Sequence, residues 1–492
     1  MTKVRSQTFA ALAVPNFRLY VTGAFVSNIG TWIQRVAQDW LVLSLSGGSA
    51  MAVGITTALQ FLPALLLSPV GGLLADRFDK RKLLMVTQSW MALSALGLGL
   101  LAVTGTATTW HVYLFAFIFG IGSALDAPAR QSFVSEVAGP DHLTNAIGLN
   151  SSSFNAARLI GPGVAGLIMA SAGAGWAILT NAVSYLAFLL ALALLHRDQL
   201  TPTVPLPRAK GQLREGFTYI RRRPDLMIAL GVAFAVGTFG MNFQMTNALM
   251  VRNQFHLGAE AYGLVGSIMG IGSLLGALIA ARRAKAPTLR FVVVMSVIVG
   301  ALIALSGLAP GYGWYAAILP VMGVTTLLTL TAANMYIQTS VDPQVRGRVM
   351  ALYMTVLMGG TPLGSPLLGW LAEIFGPRAP LVGGGLLQLL TIGIVVVAVR
   401  RDVARSGMPA EDQGENGDDQ QRDGGEQSPA GDQHDQPQVG EIAGHEGGEE
   451  RLGLPVGLDL LGELGETPGH LPQVAGTEAA PLLGDRGEVR EV

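Results

Sequence analysis

The sequence predicts an all-α membrane protein, with twelve transmembrane helices in two six-helix halves and a disordered acidic C-terminal tail. The 492-residue chain is 50% hydrophobic and only 13% charged, and that charged share is about half that of an average soluble protein. Long apolar windows follow one another as far as residue 400. Residues 401–492 differ sharply, because they hold 21 of the 33 acidic side chains and 6 of the 32 basic ones.

Twelve windows reach the length of about 20 mostly apolar residues that a membrane-spanning helix needs. They are residues 17–44, 51–75, 83–104, 109–132, 145–170, 175–196, 226–251, 261–282, 290–309, 313–339, 348–374 and 379–400. A basic, proline-containing segment separates the sixth window from the seventh. We therefore predict an N-terminal half at 1–196, a cytoplasmic linker at 197–225, a C-terminal half at 226–405 and the tail at 406–492.

The distribution of Lys and Arg predicts the orientation. With the N-terminus inside, most basic residues before position 401 fall on the cytoplasmic side, as the positive-inside rule requires. We expect a multi-pass, monomeric protein of the cell (inner) membrane, with both termini cytoplasmic, the lipid bilayer around it and no nucleic-acid partner. The chain has no cysteine, which excludes disulfides and thiolate metal sites. The tail combines low hydrophobicity with high net charge, which predicts disorder.

The two halves show a weak internal repeat. A shift of 209 residues aligns Gly54 with Gly263, and a shift of 203 aligns Gly161 with Gly364. Matched positions fall in corresponding spans. Parallel repeats of this kind are typical of transporters whose binding site lies between the halves.

The link between the second and third windows, GGLLADRFDKRKLL at residues 71–84, carries six charged side chains. Lys80, Arg81 and Lys82 would suffice as a cytoplasmic anchor, but acidic residues contribute little to topology. Asp76 and Asp79 therefore need another explanation.

The pattern Gly72-x-x-x-Asp76-Arg77-x-Asp79-Lys80-Arg81 resembles the signature between spans two and three of the major facilitator superfamily. That family usually has a second glycine where this chain has Asp79. The resemblance implies a conformational latch formed by Gly72, Asp76, Arg77, Asp79, Lys80 and Arg81. In such a latch Gly72 allows close helix approach, Asp76 faces a helix N-terminus of the other half, and Arg77 pairs with an acid on span four, for which Asp126 is the candidate. A purely topological role is the alternative.

Span five carries a second resemblance. The residues Gly148, Ala157, Gly161, Pro162 and Gly166 follow the spacing of the superfamily's antiporter motif, with alanine replacing two of its glycines. Small residues let helices pack closely, so the motif implies a helix interface biased toward export, or ordinary packing. The stretch from Asp126 to Pro162 resembles the drug:proton antiporter branch that includes macrolide-efflux and enterobactin-export proteins.

Ionisable residues within spans are costly and usually functional. Arg35 and Asp39 share a helical face, and we expect them to line the outer vestibule, with a structural salt bridge equally open. Arg158 either attracts an anionic substrate or pairs with Asp126. Asp126, near Arg130, contributes either to proton coupling or to the latch alone. These five residues are the candidates for proton coupling or a charge relay.

The remaining polar residues of the spans suggest a broad, largely apolar substrate cavity. Its candidate residues are Asn28, Asn155, Asn242, Gln244, Asn247, Asn334 and Gln338. We predict a secondary active transporter that exports small hydrophobic or amphipathic molecules, of drug or siderophore type, by proton antiport with alternating access. The proton gradient is the expected energy source, because the sequence has no ATP-binding phosphate loop for a primary pump. We expect no cofactor, no metal and no enzymatic activity, since no predicted span pairs His with Ser or carries clustered metal ligands. The alternatives are a uniporter or importer and, more remotely, a non-transporting scaffold that acts through its tail.

Overall fold

The structure, a computed structural model, describes residues 7–201, 212–283 and 286–406. Within these ranges the chain forms fourteen α-helices. They are α1 (Pro15–Leu45), α2 (Ala50–Arg77), α3 (Lys80–Val103), α4 (Thr109–Ala138), α5 (Leu143–Ala172), α6 (Ala174–Leu194), α7 (Gln212–Arg221), α8 (Pro224–Ala235), α9 (Phe243–Leu249), α10 (Ala259–Ala281), α11 (Leu289–Gly307), α12 (Tyr312–Ser340), α13 (Arg346–Phe375) and α14 (Ala379–Ser406). The predicted tail lies outside the described residues, apart from its first position.

Every predicted window falls on helical structure, and nine segments of the described ranges are long and apolar enough to cross a membrane. The other three windows fall on α1, α5 and α13, which have 31, 30 and 30 residues. These helices are long enough but more polar, and each contacts the opposite half. A helix shielded by the other half needs less apolar surface than one surrounded by lipid. The full count of twelve spans stays a prediction.

The seventh predicted span, 226–251, is not one regular helix. α8 passes into a π-helical segment at Val236–Gly240, the chain bends at Met241, and α9 is followed by a second π segment at Met250–Gln254. Glycines allow this departure, because a Cβ at Gly237 would overlap the backbone of Leu357 on α13. Irregular helices at membrane depth occur where they are buried in protein or line a cavity.

The apolar cores show how the two halves meet. We call the end of the bundle where α2, α4, α6, α10 and α12 finish the linker end, and the opposite end the far end. One buried cluster at the far end contains residues of both halves, from Ile33 to Leu381. At the linker end there are two separate clusters, one from Ala11 to Leu195 and one from Ile220 to Ile392. The halves are therefore joined at the far end and have independent cores at the linker end.

The contacts between the halves reproduce the predicted repeat. Gly166 on α5 meets Ala259 and Gly263 on α10, and its repeat mate Gly369 on α13 meets Ala50 and Met51 on α2. Gly173 and Gly376, again 203 positions apart, end α5 and α13 with positive φ values of 90° and 87°. A positive φ of this size favours glycine, because a residue with a Cβ is strained there.

Candidate functional site

Two basic residues of the 71–84 link, Lys80 and Arg81, are bound within the N-terminal half. Asp79 is the N-cap of α3, and its carboxylate accepts a hydrogen bond from the Lys82 backbone N–H at 2.9 Å. Lys80 is buried and forms an ion pair with Glu136 on α4. Arg81 donates from Nε to the Leu192 carbonyl at 2.5 Å and from Nη2 to the Ala193 carbonyl at 2.7 Å. These contacts join α3 to α4 and to the C-terminal end of α6, where a cation is favourable.

The other latch residues lie at the end of α2. The close helix approach occurs at Gly71, where a Cβ would come 2.7 Å from the Ala124 carbonyl. Gly72 and Asp76 are half-buried, and Arg77 is exposed. The expected pair of Arg77 with Asp126 is not formed among the described residues. Gly71 packs against Ala124 and Pro128 of α4 and is therefore level with Asp126. Arg77 lies six residues beyond Gly71 at the end of α2, about 9 Å further along the helix by helical rise.

Asp126 is instead the centre of a buried cluster within the N-terminal half. Its Oδ2 accepts from Arg130 Nε at 2.9 Å, one helical turn away. Its Oδ1 accepts from Thr87 Oγ1 at 2.8 Å and from Gln88 Nε2 at 2.7 Å. The Arg130 guanidinium also lies 4.4 Å from the ring centre of Phe188. An ionised carboxylate is an acceptor only, so three donors around it suit its charged form.

Arg35 and Asp39 lie between the halves, beneath the closed far end, and not in an open vestibule. Asp39 is 6% exposed and accepts a hydrogen bond from the Tyr262 hydroxyl at 3.3 Å. Arg35 and Asp39, both in the described part of the chain, do not form a salt bridge with each other. The Arg35 guanidinium is placed over Trp32, 5.1 Å from its ring centre, and over Phe61, at 5.3 Å.

Arg158 also contacts an aromatic ring. Its Cζ lies 5.6 Å from the Trp32 ring centre. The Trp32 ring therefore has cation–π contacts with both Arg35 and Arg158. The alternative that pairs Arg158 with Asp126 is not seen among the described residues, because Arg130 already occupies that carboxylate.

The span-five motif packs on two neighbours. A Cβ at Gly161 would overlap Trp32 of α1, and Pro162 contacts Gly263 and Gly266 of α10 across the boundary between the halves. Gly166 adds its contact with α10, and Ala157 is fully buried. Gly148 has open space around it. Four of the five motif residues are thus packed in helix interfaces.

The seven predicted cavity residues divide into two groups. Asn242 and Gln244 line a cavity of about 30 Å³ together with Arg35, Asp39 and Gln60. The others are placed elsewhere: Asn247 accepts from the Tyr315 hydroxyl at 2.5 Å, Asn155 bonds its own helix, Gln338 donates to Asn334, and Asn28 is half-buried on α1.

Several functional candidates are absent from the sequence-based predictions. Trp32, Phe61 and Gln60 flank Arg35, and Thr87 and Gln88 hold Asp126. Glu373 of α13 accepts from the backbone N–H groups of Ala50 and Met51, at 3.0 and 3.3 Å, and so caps α2 of the other half. The available signal was a three-residue spacing, from Trp32 to Arg35 and from Thr57 to Gln60. Aromatic and amide side chains recur too often in spans for this spacing to be selective.

The fold and these interfaces define a multi-pass membrane transporter of the major facilitator superfamily. The chain belongs to the transmembrane secretion effector family, whose model matches residues 6–414. It is 25% identical to the staphyloferrin A transporter of Staphylococcus aureus over 73% of this chain and 90% of that protein. It is 26% identical to the multidrug efflux pump Tap of Mycolicibacterium fortuitum, over 78% and 95% of the two chains. It is 24% identical to the enterobactin exporter EntS of Shigella flexneri, over 80% and 93%.

Solved structures agree on the fold. A bacterial homologue of the human lysosomal transporter Spinster, in an inward-facing and unoccupied conformation, matches with a TM-score of 0.61 at 17% identity, over 80% of this chain and 98% of that one. The nucleoside transporter NupG matches with a TM-score of 0.62 at 13% identity, over 80% and 100%. At these identities the likeness concerns the fold alone.

Proposed function

We propose that this transporter exports small hydrophobic or amphipathic molecules across the cytoplasmic membrane by proton antiport with alternating access. The names of its relatives support the direction and the cargo class, because they include transporters of two siderophores and a multidrug efflux pump. All three are similar to this chain over most of their length. The proposal includes twelve spans, a monomer and cytoplasmic termini.

The observation that carries the alternating-access part is the arrangement of apolar cores. Both halves share one core at the far end and have separate cores at the linker end. With the orientation that the Lys and Arg distribution predicts, this is a state closed to the outside and open to the cytoplasm. Rocking of the halves about the site between them would convert it to the opposite state.

Asp126 is the residue that we assign to proton coupling. It is buried, lies at membrane depth and has its carboxylate divided between Arg130 and two neutral donors. Protonation would remove the charge that holds Arg130 and would release that guanidinium to another partner. A carboxylate that changes partners between two states is what coupling to protons requires.

The test compares small molecules in the medium and cytosol of cells that lack the protein, cells restored with it and cells restored with Asp126→Asn. We expect a compound that cells retain without the protein and release with it. In inverted membrane vesicles, that compound should enter in response to a proton gradient with the native protein and with Asp342→Asn, but not with Asp126→Asn. Asp342→Asn is the matched control, since its carboxylate accepts from Tyr219 at the linker end, outside the spans.

Two results would contradict the proposal. A compound missing from the cytosol of cells with the protein would mean import. Equal transport by Asp126→Asn, with an unchanged pH dependence, would remove Asp126 from the coupling mechanism and leave it a structural role in the N-terminal half.

A further inference from the structure

Two arginines at membrane depth lie beside one indole ring without an acidic partner. The Arg35 and Arg158 guanidinium groups are 5.1 and 5.6 Å from the ring centre of Trp32, and both side chains are half-buried. Neither forms an ion pair in the part of the chain that the structure describes. The Nε atom of Arg35 is buried and has no hydrogen-bond partner there.

This condition contrasts with the other buried basic groups of the same half. Arg130 has Asp126, Lys80 has Glu136, and Arg81 donates to two carbonyls. A guanidinium has five N–H donors and no acceptor, and the face of a ring uses none of them. Because a charge within a membrane is costly, two arginines with unused donors indicate a ligand that is not part of the chain.

The nearest acids do not supply that ligand. Asp39 lies one turn from Arg35, but the Tyr262 hydroxyl donates to it and no ion pair joins it to Arg35 in the described residues. Asp126 is occupied by three donors. Even with Asp39 ionised, the group formed by Arg35, Arg158 and Asp39 carries a net charge of one positive unit.

The residues around the two arginines indicate the chemical groups that the ligand would carry. Arg35 lines the cavity that also contains Gln60, Asn242 and Gln244, and the Oδ1 of Asn242 and the Nε2 of Gln244 are buried without partners in the described structure. Trp32 is also in contact with Phe154, at 6.0 Å between ring centres. Aromatic rings therefore adjoin two cations and spare amide groups.

We propose that Arg35, Trp32 and Arg158 form the cargo-binding site for an anionic amphipath, whose carboxylate or similar oxyanion is held by the two guanidinium groups while an aromatic or apolar body packs on Trp32. The inference rests on the proposed transport function and narrows its cargo class. Neutral and cationic drugs lack the group that the two arginines bind.

Three fluorescent compounds with the same apolar body test this site: dansylglycine, an anion; dansylamide, which is neutral; and dansylcadaverine, a cation. Binding is titrated on the purified full-length protein in detergent. We expect dansylglycine to bind more tightly than dansylamide, and dansylcadaverine to bind most weakly. Arg158→Gln and Arg35→Gln should each weaken dansylglycine binding about tenfold, as for loss of a charged hydrogen-bond partner, without weakening dansylamide binding.

Arg252→Gln is the matched control. Arg252 also lies over an indole, 5.2 Å from the ring centre of Trp40, but it donates to Ser44 at the far end. Its loss should leave dansylglycine affinity unchanged. Arg158→Lys, which keeps the charge, guards against a folding defect and should retain more affinity than Arg158→Gln.

The outcomes separate this inference from the transport proposal. Equal or stronger binding of dansylcadaverine, no binding of dansylglycine, or unchanged affinity in both glutamine variants would overturn the anionic site even if export is observed. Arginine-dependent binding of dansylglycine together with import or no transport in cells would keep the site and overturn the proposed direction or function.

Discussion

The two halves share a fold and a glycine pattern but differ in where they keep their charge. The N-terminal half has Arg35, Asp39, Asp126, Arg130 and Arg158 at membrane depth. In the C-terminal half, the charged side chains of the described spans lie near helix ends. An example is the Arg223–Asp225 pair at the start of α8, where the linker joins the C-terminal half. Arg223 precedes the helix, Asp225 lies in its first turn, and two hydrogen bonds of 2.9 Å join them.

The hydrogen bonds with Asp225 raise the pKa of Arg223, so this C-terminal pair stays charged and serves as an anchor. The two halves are therefore alike in helix packing and unlike in chemistry. Glycine contacts persist in both halves because each interface needs close approach. Among the residues that the structure describes, fully buried charged side chains occur in the N-terminal half only, which is where we place both coupling and cargo binding.

The largest expected effect comes from the buried ion pair of the N-terminal half. Glu136→Gln leaves the Lys80 ammonium without its carboxylate in a site where the two side chains are 10% and 11% exposed. Removal of one partner from a buried pair costs about 3–5 kcal/mol. We expect a large fall in melting temperature in detergent.

The C-terminal half offers the comparison for that variant. Arg348 pairs with Glu215 at 2.5 Å, but Glu215 is 58% exposed, and surface pairs contribute about 0–1 kcal/mol. Glu215→Gln should therefore change the melting temperature little. If both variants lowered the melting temperature by similar amounts, the prediction that burial sets the cost would be wrong. Replacement of Lys80 and Glu136 together by apolar residues should recover stability.

An intermediate effect is expected from repeat-related glycines. A Cβ at Gly364 would overlap the backbone carbonyl of Thr238, whereas a Cβ at Gly161 would meet the side chain of Trp32. Overpacking costs about 1–3 kcal/mol. The Trp32 atom concerned is its Cβ, so both contacts require a backbone shift, but the overlap at Gly364 is the deeper one and needs the larger shift. Gly364→Ala should lower the melting temperature more than Gly161→Ala.

Gly148→Ala is the control for both glycine variants, because nothing lies within 4 Å of the position that its Cβ would take. It should be neutral or slightly stabilising, since alanine favours the helix. If Gly161→Ala proved the more damaging variant, the α1–α5 contact would be the more rigid of the two repeat-related interfaces.

The smallest effect is expected at Asp79. Its carboxylate caps α3 through the Lys82 N–H, and loss of an N-cap to alanine costs about 1 kcal/mol. Asp79→Gly, which introduces the glycine usual in the superfamily, should cost only a few tenths. Thermal melts of the two variants test this order, and equal stability of Asp79→Ala and the native protein would show that the cap contributes nothing.

The sequence alone determined the helical membrane class and the positions of the long helices, because long apolar windows are local properties of the chain. It indicated the glycine repeat as well, since recurring small residues are visible without a structure. It also identified the charged residues of the N-terminal half. Their partners were decided only by tertiary structure. Arg130 reaches Asp126 ahead of Arg77 because helix depth, unlike spacing in the chain, sets which groups meet.

Tertiary structure also decided the break in the seventh span and the exclusion of Arg35 and Arg158 from any ion pair among the described residues. Both depend on contacts between helices that are distant in sequence: α13 against Gly237, and Trp32 between two arginines from α1 and α5. Hydropathy reports how much apolar surface a helix has but not which neighbour covers it. The chain's own pattern therefore fixes the spans, and packing between the halves decides which of their polar groups remain open to a ligand.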